Sequence, residues 1–394
     1  MDADHPWPAS SGLAQEQAPI RSIRIGESRD GFHSLSVRAA QARIDLEALR
    51  HNFGVLRGAA DGAKVFPALK ADAYGHGMLA CAQALRDLAD GFVVATLGEA
   101  EVLRRAGITQ RLMVLQGFAS LAEARQAARL MLEPVVHQSW QVELLESGHT
   151  GLPLRVWLKI DTGMHRMGIE PEQAGELHAR LMASGRLRGT PGLMTHFACA
   201  DEADPAATRR QIEVFRQAVE GLEGERSLSN SAGLLGGYGA GGDIVRPGIA
   251  LYGGNPFVRG SAADHGLRPV MTLTTRLLAV KQQPAGAAIG YGATWTCPED
   301  MPVGIAAIGY GDGYPRRTPA GTPVLVNGQR ASLIGRVSMD LVTLDLRGIE
   351  ARPGDEVELW GGGLPVDEVA KAIGTISYDL TCAAGAHVGR HYLA

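Results

Sequence analysis

Cysteine is scarce in this chain and scattered where it occurs. The 394 residues contain four, Cys81, Cys199, Cys297 and Cys382, with no C-x-x-C pair and no Cys/His group at metal-ligand spacing. That pattern excludes a disulfide framework, offers no metal site, and reads as reduced thiols in a cytoplasmic protein. Long apolar runs are also missing: nowhere do about 18 apolar residues follow one another, so no membrane-spanning helix is expected. The opening stretch, "MDADHPWPASSGLAQEQAP", lacks the apolar core of a signal peptide. Neither sign of charge dominates. With 38 basic and 42 acidic residues the formal charge is −4, which supports neither nucleic-acid binding nor attachment to a membrane surface.

Glycine, by contrast, is abundant at 51 residues, which suggests many tight turns and close backbone approaches. The length exceeds what one hydrophobic core usually serves, so two domains are expected. From residue 45 onward, short apolar runs alternate with helical patterns of 10–15 residues, the signature of parallel βα units. Eight strands are predicted, near 65–70, 91–96, 111–117, 133–137, 154–161, 190–197, 226–230 and 243–251. An open doubly wound sheet is the alternative, but eight similarly spaced units favour closure into a barrel. After about residue 265 the runs become β-type and are separated by Pro and Gly. Asn327–Gly328 signals a type I′ hairpin, and one helix, "PVDEVAKAIG", precedes the tail. The fold class is therefore α/β: a (β/α)8 TIM-type barrel over residues 38–265, then a mostly antiparallel β-domain over 266–394. Residues 1–37 are expected to be a poorly ordered extension.

Active sites of such barrels lie at the C-terminal strand ends, with phosphate commonly held by the loops after strands seven and eight. Lys70 ends strand one, Lys159 and Asp161 end strand five, and His196 ends strand six. Asn230 and Ser231 end strand seven, and Arg246 to Ile249 lie in strand eight. A single polar residue at a strand end is usually a solvated loop residue; five such ends around one mouth are not so easily dismissed. "SNSAG" and "RPGI" offer hydroxyls and backbone amides to a phosphate. With a lysine across the barrel, they suggest pyridoxal phosphate. Gly237, Gly239 and Gly242 match G-x-G-x-x-G, but the strand-like "DIVRPG" follows instead of a helix, so no dinucleotide site is expected.

"LKADAYGHG", "LKIDTGMHRMGI", "THFA", "NSAG", "RPGIALYG", "GYGATW", "IGYGDGY", "GRVSMD" and "ISYD" occur in the order found in alanine racemases, the fold-type III pyridoxal-phosphate enzymes, and the chain resembles that family from about residue 40 to its end. The resemblance implies interconversion of L- and D-alanine for cell-wall peptidoglycan. It also implies a homodimer whose active sites are completed by the partner's β-domain, with no nucleic-acid or membrane partner. By position, Lys70 would carry the cofactor and Tyr291 would be the second catalytic base, opposite it. Tyr74, Asn230, Ser231, Gly248, Ile249 and Tyr378 would hold the cofactor, chiefly its phosphate. Arg246 would face the pyridine nitrogen, with His196 beside the ring. Arg166 and the Met339 backbone would meet the substrate carboxylate, and Tyr310 would narrow the entrance. Lys159 matches a lysine that carries a carbamate in many members.

Three competing functions are a racemase of serine or other small amino acids, a non-catalytic pyridoxal-phosphate barrel protein, and a decarboxylase of the same fold. The tail "CAAGAHVGRHYLA" departs from the family's Pro-Arg-Val-Pro-like run, which puts its packing in question. Ser338 stands where a cysteine often precedes the Met-Asp pair.

Overall fold

The computed structural model describes residues 40–238 and 242–393. The expected N-terminal extension, 1–37, and Gly239 lie outside the described residues.

The chain opens on β1 (Gln41–Asp45), followed by the helix Leu46–Ala59, which the Asp45 side chain caps by accepting from Ala48 N–H at 2.8 Å. Eight short parallel strands follow: β2 (Lys64–Val65), β3 (Gly91–Val94), β4 (Arg111–Val114), β5 (Glu133–Val136), β6 (Trp157–Lys159), β7 (Gly192–Met194), β8 (Arg226–Ser227) and β9 (Ile244–Val245). Each falls on one of the eight expected runs. β3 to β8 form one parallel sheet, and β2 pairs with β9. Backbone hydrogen bonds close the circle. Leu69 N–H donates to Val93 O at 2.8 Å on one side, and Arg246 N–H to Ser229 O at 2.9 Å on the other. The strands β3 and β5 are buried at every position, as expected of parallel strands covered on both faces.

Lys64, Arg111, Glu133, Arg155 and Glu225 cluster at or beside the N-terminal strand ends. Arg111 bridges Glu133 (Nε to Oε1, 2.6 Å) and Glu225 (Nη2 to Oε2, 2.7 Å), and Lys64 joins Glu225 at 2.6 Å. The Trp157 indole donates to Glu133 Oε2 at 2.9 Å. This network seals the barrel floor at the end opposite the candidate site. Glu133→Gln leaves Arg111 and Trp157 facing an amide, and should destabilise the fold by about 3 kcal/mol. A shifted denaturation midpoint would show it. For Glu225, burial pushes the carboxyl up, but hydrogen bonds from Arg111 and Lys64 outweigh it and hold the group at about 2. Its contribution to stability is therefore present above its unfolded value and lost as pH falls towards 2.

The second half is built on β10 (Met271–Gln283), β11 (Ala288–Ile289), β12 (Trp295–Thr296), β13 (Met301–Ala306), β14 (Pro323–Val326), β15 (Gln329–Ile334), β16 (Val342–Asp345), β17 (Glu356–Trp360) and β18 (Gly389–Leu393). The long β10 pairs with β13 through Leu277–Gln283 and with β17 through Leu273–Arg276. The order β10, β13, β16, β15, β14, β17 therefore returns on itself as an antiparallel ring. Asn327 and Gly328 both have positive φ, 50° and 75°, as a type I′ hairpin requires.

Two elements differ from the expectation. β1 is hydrogen-bonded to β10 and β18 in this second sheet, although it begins the chain's barrel half. The helix Ser377–His387 follows Val366–Ile373, where the sequence predicts a single helix. It buries Ser377, Leu380, Thr381, Ala384 and Gly385, so it presents no clean apolar stripe to a pattern search. The atypical tail completes the helix Ser377–His387 and then forms β18, parallel to β1. Among the described residues no helix is long and apolar enough to cross a membrane.

Candidate active site

Lys70 does not end a strand, as the sequence suggests. It opens a turn in which Ala71, Asp72, Ala73 and Tyr74 all have left-handed φ, between 52° and 56°. For residues with a Cβ this conformation costs about 1–2 kcal/mol each, so it persists only where the surroundings enforce it. Glu99 enforces one end: its Oε1 accepts from Ala71 N–H at 2.8 Å, and its Oε2 from Ala95 and Thr96 N–H. His76 holds the other. Its Nδ1 lies 3.0 Å from both Ala73 O and Tyr74 O and therefore carries the proton. The ring is buried and stacked on Tyr252 at 4.5 Å, and burial pushes it down to about 4 despite those two bonds, so it stays neutral. Its role, unassigned from sequence, is to clamp this turn.

Around Lys70 stand three further cations. Burial and the Arg166 guanidinium lower the Lys70 amine, and Arg246 acts in the same direction. Lys159, at the end of β6, is 9% exposed; burial, Arg246 and Arg166 lower it to about 8. It makes no ion pair among the described residues. Asp161 is occupied elsewhere, its Oδ1 accepting from Gly163, Met164 and His165 N–H at 3.0 Å each, which shapes the loop leading to Arg166. His196 lies in the same field. Burial and then Arg246, Lys159, Arg166 and Lys70 push it well below its ordinary value, so it is neutral. Arg246 is buried and fixed: Nη1 donates to Ser227 Oγ, and Nη2 to Thr195 O at 2.7 Å and Leu228 O at 3.2 Å. Burial lowers it only to about 10, so it remains a cation. A mouth of this charge favours anionic ligands and neutral amines.

Beside the Lys70 segment, where Ala68 N–H donates to Pro247 O at 2.8 Å, is a small-residue gap. Ser231 Oγ accepts from Gly248 N–H at 2.8 Å and Ala250 N–H at 3.3 Å, on either side of Ile249. Asn230 caps the short helix Ser231–Leu235. A Cβ on Gly248 would lie 2.4 Å from the Tyr74 hydroxyl, so only glycine leaves that space open. The Tyr74 ring contacts Tyr252 at 5.0 Å and Tyr378 at 5.7 Å. Two phenols, a serine hydroxyl and successive amides around a gap suit a tetrahedral oxyanion. His196, Asn230 and Tyr378 line one cavity.

The remaining candidates lie in the second half. Tyr291 is 69% exposed on the turn Tyr291–Ala293 between β11 and β12. Tyr310 and Met339 share an interlocked loop pair. Tyr310 N–H donates to Ser338 O at 3.1 Å and Gly311 N–H to Met339 O at 2.8 Å. Both side chains are exposed. Sequence reasoning missed Glu99 and Gln211. The first is signalled by its capping box, "TLGE". The buried Gln211 ties Thr162 to His196 O, both at 3.1 Å, and no local pattern announces it.

Comparison with known proteins gives a consistent result. Family models described as "Alanine racemase, N-terminal domain" and "Alanine racemase, C-terminal domain" match residues 44–256 and 270–392. The chain is 50% identical over 358 residues to the alanine racemase of Thioalkalivibrio sulfidiphilus, covering 90% of this chain and 99% of that one. It is 49% identical over 347 residues to the "Alanine racemase, catabolic" of Pseudomonas putida, covering 88% and 97%. The crystal structure of a biosynthetic alanine racemase from Pseudomonas aeruginosa matches the fold with a TM-score of 0.88 at 44% identity, over 91% of this chain and all of that one.

Proposed function

The chain belongs to the alanine racemase family, and on that premise we propose that it interconverts L- and D-alanine with bound pyridoxal 5′-phosphate, Lys70 and Tyr291 moving the α-proton on opposite faces of the substrate. Its kinship makes it an isomerase of the racemase type. One arrangement supports the cofactor reading: a depressed, partly buried lysine opens the turn whose Tyr74 hydroxyl stands over a gap that only Gly248 leaves open, beside Ser231. The residues fit the group. Tyr74, Asn230, Ser231, Gly248, Ile249 and Tyr378 would hold its phosphate end, Lys70 its aldehyde and Arg246 its ring nitrogen, with His196 beside the ring. When bound, pyridoxal phosphate supplies the electron sink that acidifies an amino acid's α-proton.

The protein's own part is proton transfer and orientation. Racemisation removes a proton from one face and returns one to the other, so two bases on opposite sides suffice. Burial and then Arg166 lower the Lys70 amine, which favours its neutral form relative to an exposed lysine. Arg166 and the Met339 N–H would hold the substrate carboxylate and so present the Cα–H bond to the bases, while Tyr310 limits side-chain size. Tyr291, Met339 and Leu341 are exposed in one chain, at 69%, 55% and 38%, which fits a homodimer in which they cover the partner's mouth. Purified protein should show the visible absorbance of bound cofactor and racemise both alanine enantiomers, with serine a poorer substrate. Inability to racemise alanine with cofactor supplied would overturn the assignment. Supply of D-alanine for peptidoglycan in the cytoplasm is part of the same proposal, and relief of a bacterial D-alanine requirement tests it.

Lys159 is proposed to carry a carbamate. A buried lysine among Arg246, Arg166 and Lys70, offset only in part by the nearby Asp161 and in no ion pair among the described residues, is electrostatically costly as an ammonium. As a neutral amine it attacks carbon dioxide, forming an N–C bond and releasing one proton to solvent, and becomes an anion among cations. The group titrates at about 8, so the reaction should gain as pH rises towards that value. Native mass spectrometry should show one added carbon dioxide. Lys159→Met should lower activity by about tenfold, and Lys159→Glu should recover much of it by restoring a carboxylate. Equal activities of the two variants would count against the modification.

A further inference from the structure

The strained turn after Lys70 is also gripped from the far end of the chain. On Asp72, the second of the four left-handed residues, the backbone carbonyl accepts from Gly77 N–H at 2.9 Å, Oδ1 accepts from Met78 N–H at 2.6 Å, and Oδ2 forms an ion pair with Arg390 Nη2 at 2.6 Å. Arg390 sits on β18, whose register against β1 sets Arg390 opposite Ala42. The same Nη2 also donates to Gly385 O, at the end of the helix that carries Tyr378. Two close approaches reinforce the contact. A Cβ on Gly77 would lie 2.0 Å from the Tyr392 hydroxyl oxygen, and one on Gly385 would lie 2.0 Å from Gly75 O. Three separate parts of the fold, the turn, the helix Ser377–His387 and the final strand, thus meet at one guanidinium.

We propose that Arg390 is a positioning residue for the active site: by holding Asp72 and Gly385 together it maintains the left-handed turn that aims Lys70 and Tyr74. Glu99 restrains Ala71, His76 restrains Ala73 and Tyr74, and the Gly77 and Met78 amides restrain Asp72 from within the turn region; Arg390 adds a restraint on Asp72 from the far end of the chain. A planar guanidinium can satisfy a carboxylate and a carbonyl at once, which a lysine does less well. The consequence for catalysis rests on the reading of Lys70 and Tyr74 given above; the mechanical claim does not.

Two measurements separate them. In cofactor-free protein, Arg390→Gln should speed amide hydrogen exchange at residues 73–78 by at least about tenfold, as expected for loss of a charge-assisted bond. Exchange in β4 and β5 should be unchanged. Asp72→Asn should give the same local effect, the double variant should be no worse than either, and Arg390→Lys should recover part of it. Glu133→Gln, at the other end of the barrel, should leave residues 73–78 unaffected. In loaded enzyme, Arg390→Gln should weaken pyridoxal phosphate binding and lower kcat by about tenfold, with KM for alanine little changed. Unchanged exchange at 73–78 in folded Arg390→Gln, or in Asp72→Asn should the first fail to fold, overturns the proposal. So does acceleration spread equally over the whole protein. Failure of the wild-type protein to bind the cofactor would instead overturn the functional reading, and leave the exchange result to decide the clamp.

Discussion

Lys70→Ala should lower racemisation of alanine by at least about a thousandfold in both directions and abolish stable retention of the cofactor. The expected loss is large because, in the proposed mechanism, one amine would have two duties, holding the cofactor and moving a proton. The substitution removes only atoms beyond Cβ from a partly buried side chain that makes no ion pair in the described residues, so the fold should survive. Tyr291→Phe should cost a comparable factor in turnover while leaving cofactor binding intact. Its hydroxyl is in solvent within one chain, and its removal disturbs no packing there. The decisive readout is exchange of the α-hydrogen with deuterated solvent, measured separately on each enantiomer. With Tyr291→Phe, exchange should persist from one enantiomer and vanish from the other. Exchange lost equally from both would mean that a single base serves both faces, and the two-base division would fail.

Why the barrel is visible in the sequence and the turn is not follows from the range of the forces involved. Runs such as "GFVV" in β3 and "EPVV" in β5 are buried on both faces, so their hydrophobicity alone marks them. The strand ends then place Lys159, His196, Asn230 and Arg246 around one mouth without further information. "KADAY" contains no glycine within the left-handed residues, so nothing local reveals four positive φ angles in succession. That conformation is imposed from outside, by Glu99, His76 and Arg390, and the last of these comes from the other end of the chain. β1 is obscured for a related reason: its partners β10 and β18 are both distant in sequence. Gly248 is legible as a glycine in "RPGI", but the reason for it, the Tyr74 hydroxyl, appears only in the fold.

Mixing the two inactive variants should restore activity. Tyr291 projects from the β-domain and is 69% exposed, an unfavourable setting for the proton-transferring role proposed for it. The barrel mouth, meanwhile, has its lysine, its cations and its small-residue gap in the same chain, and on the proposed mechanism it would receive its second base from elsewhere. If each mouth receives Tyr291 from a second copy, a dimer of Lys70→Ala with Tyr291→Phe contains one site lacking both groups and one site with both intact. Random re-association makes half the dimers mixed, and each mixed dimer has one working site of two. Activity should then rise from below about a thousandth to about a quarter of the unmodified enzyme. Were Lys70 and Tyr291 to act within one chain, each mixed dimer would hold only singly defective sites, and mixing would restore nothing. The experiment therefore decides between the two geometries by a factor of several hundred, and it requires only that the subunits exchange. A chain locked in its original dimers would show itself by unchanged activity before, and recovery after, brief dissociation and refolding together.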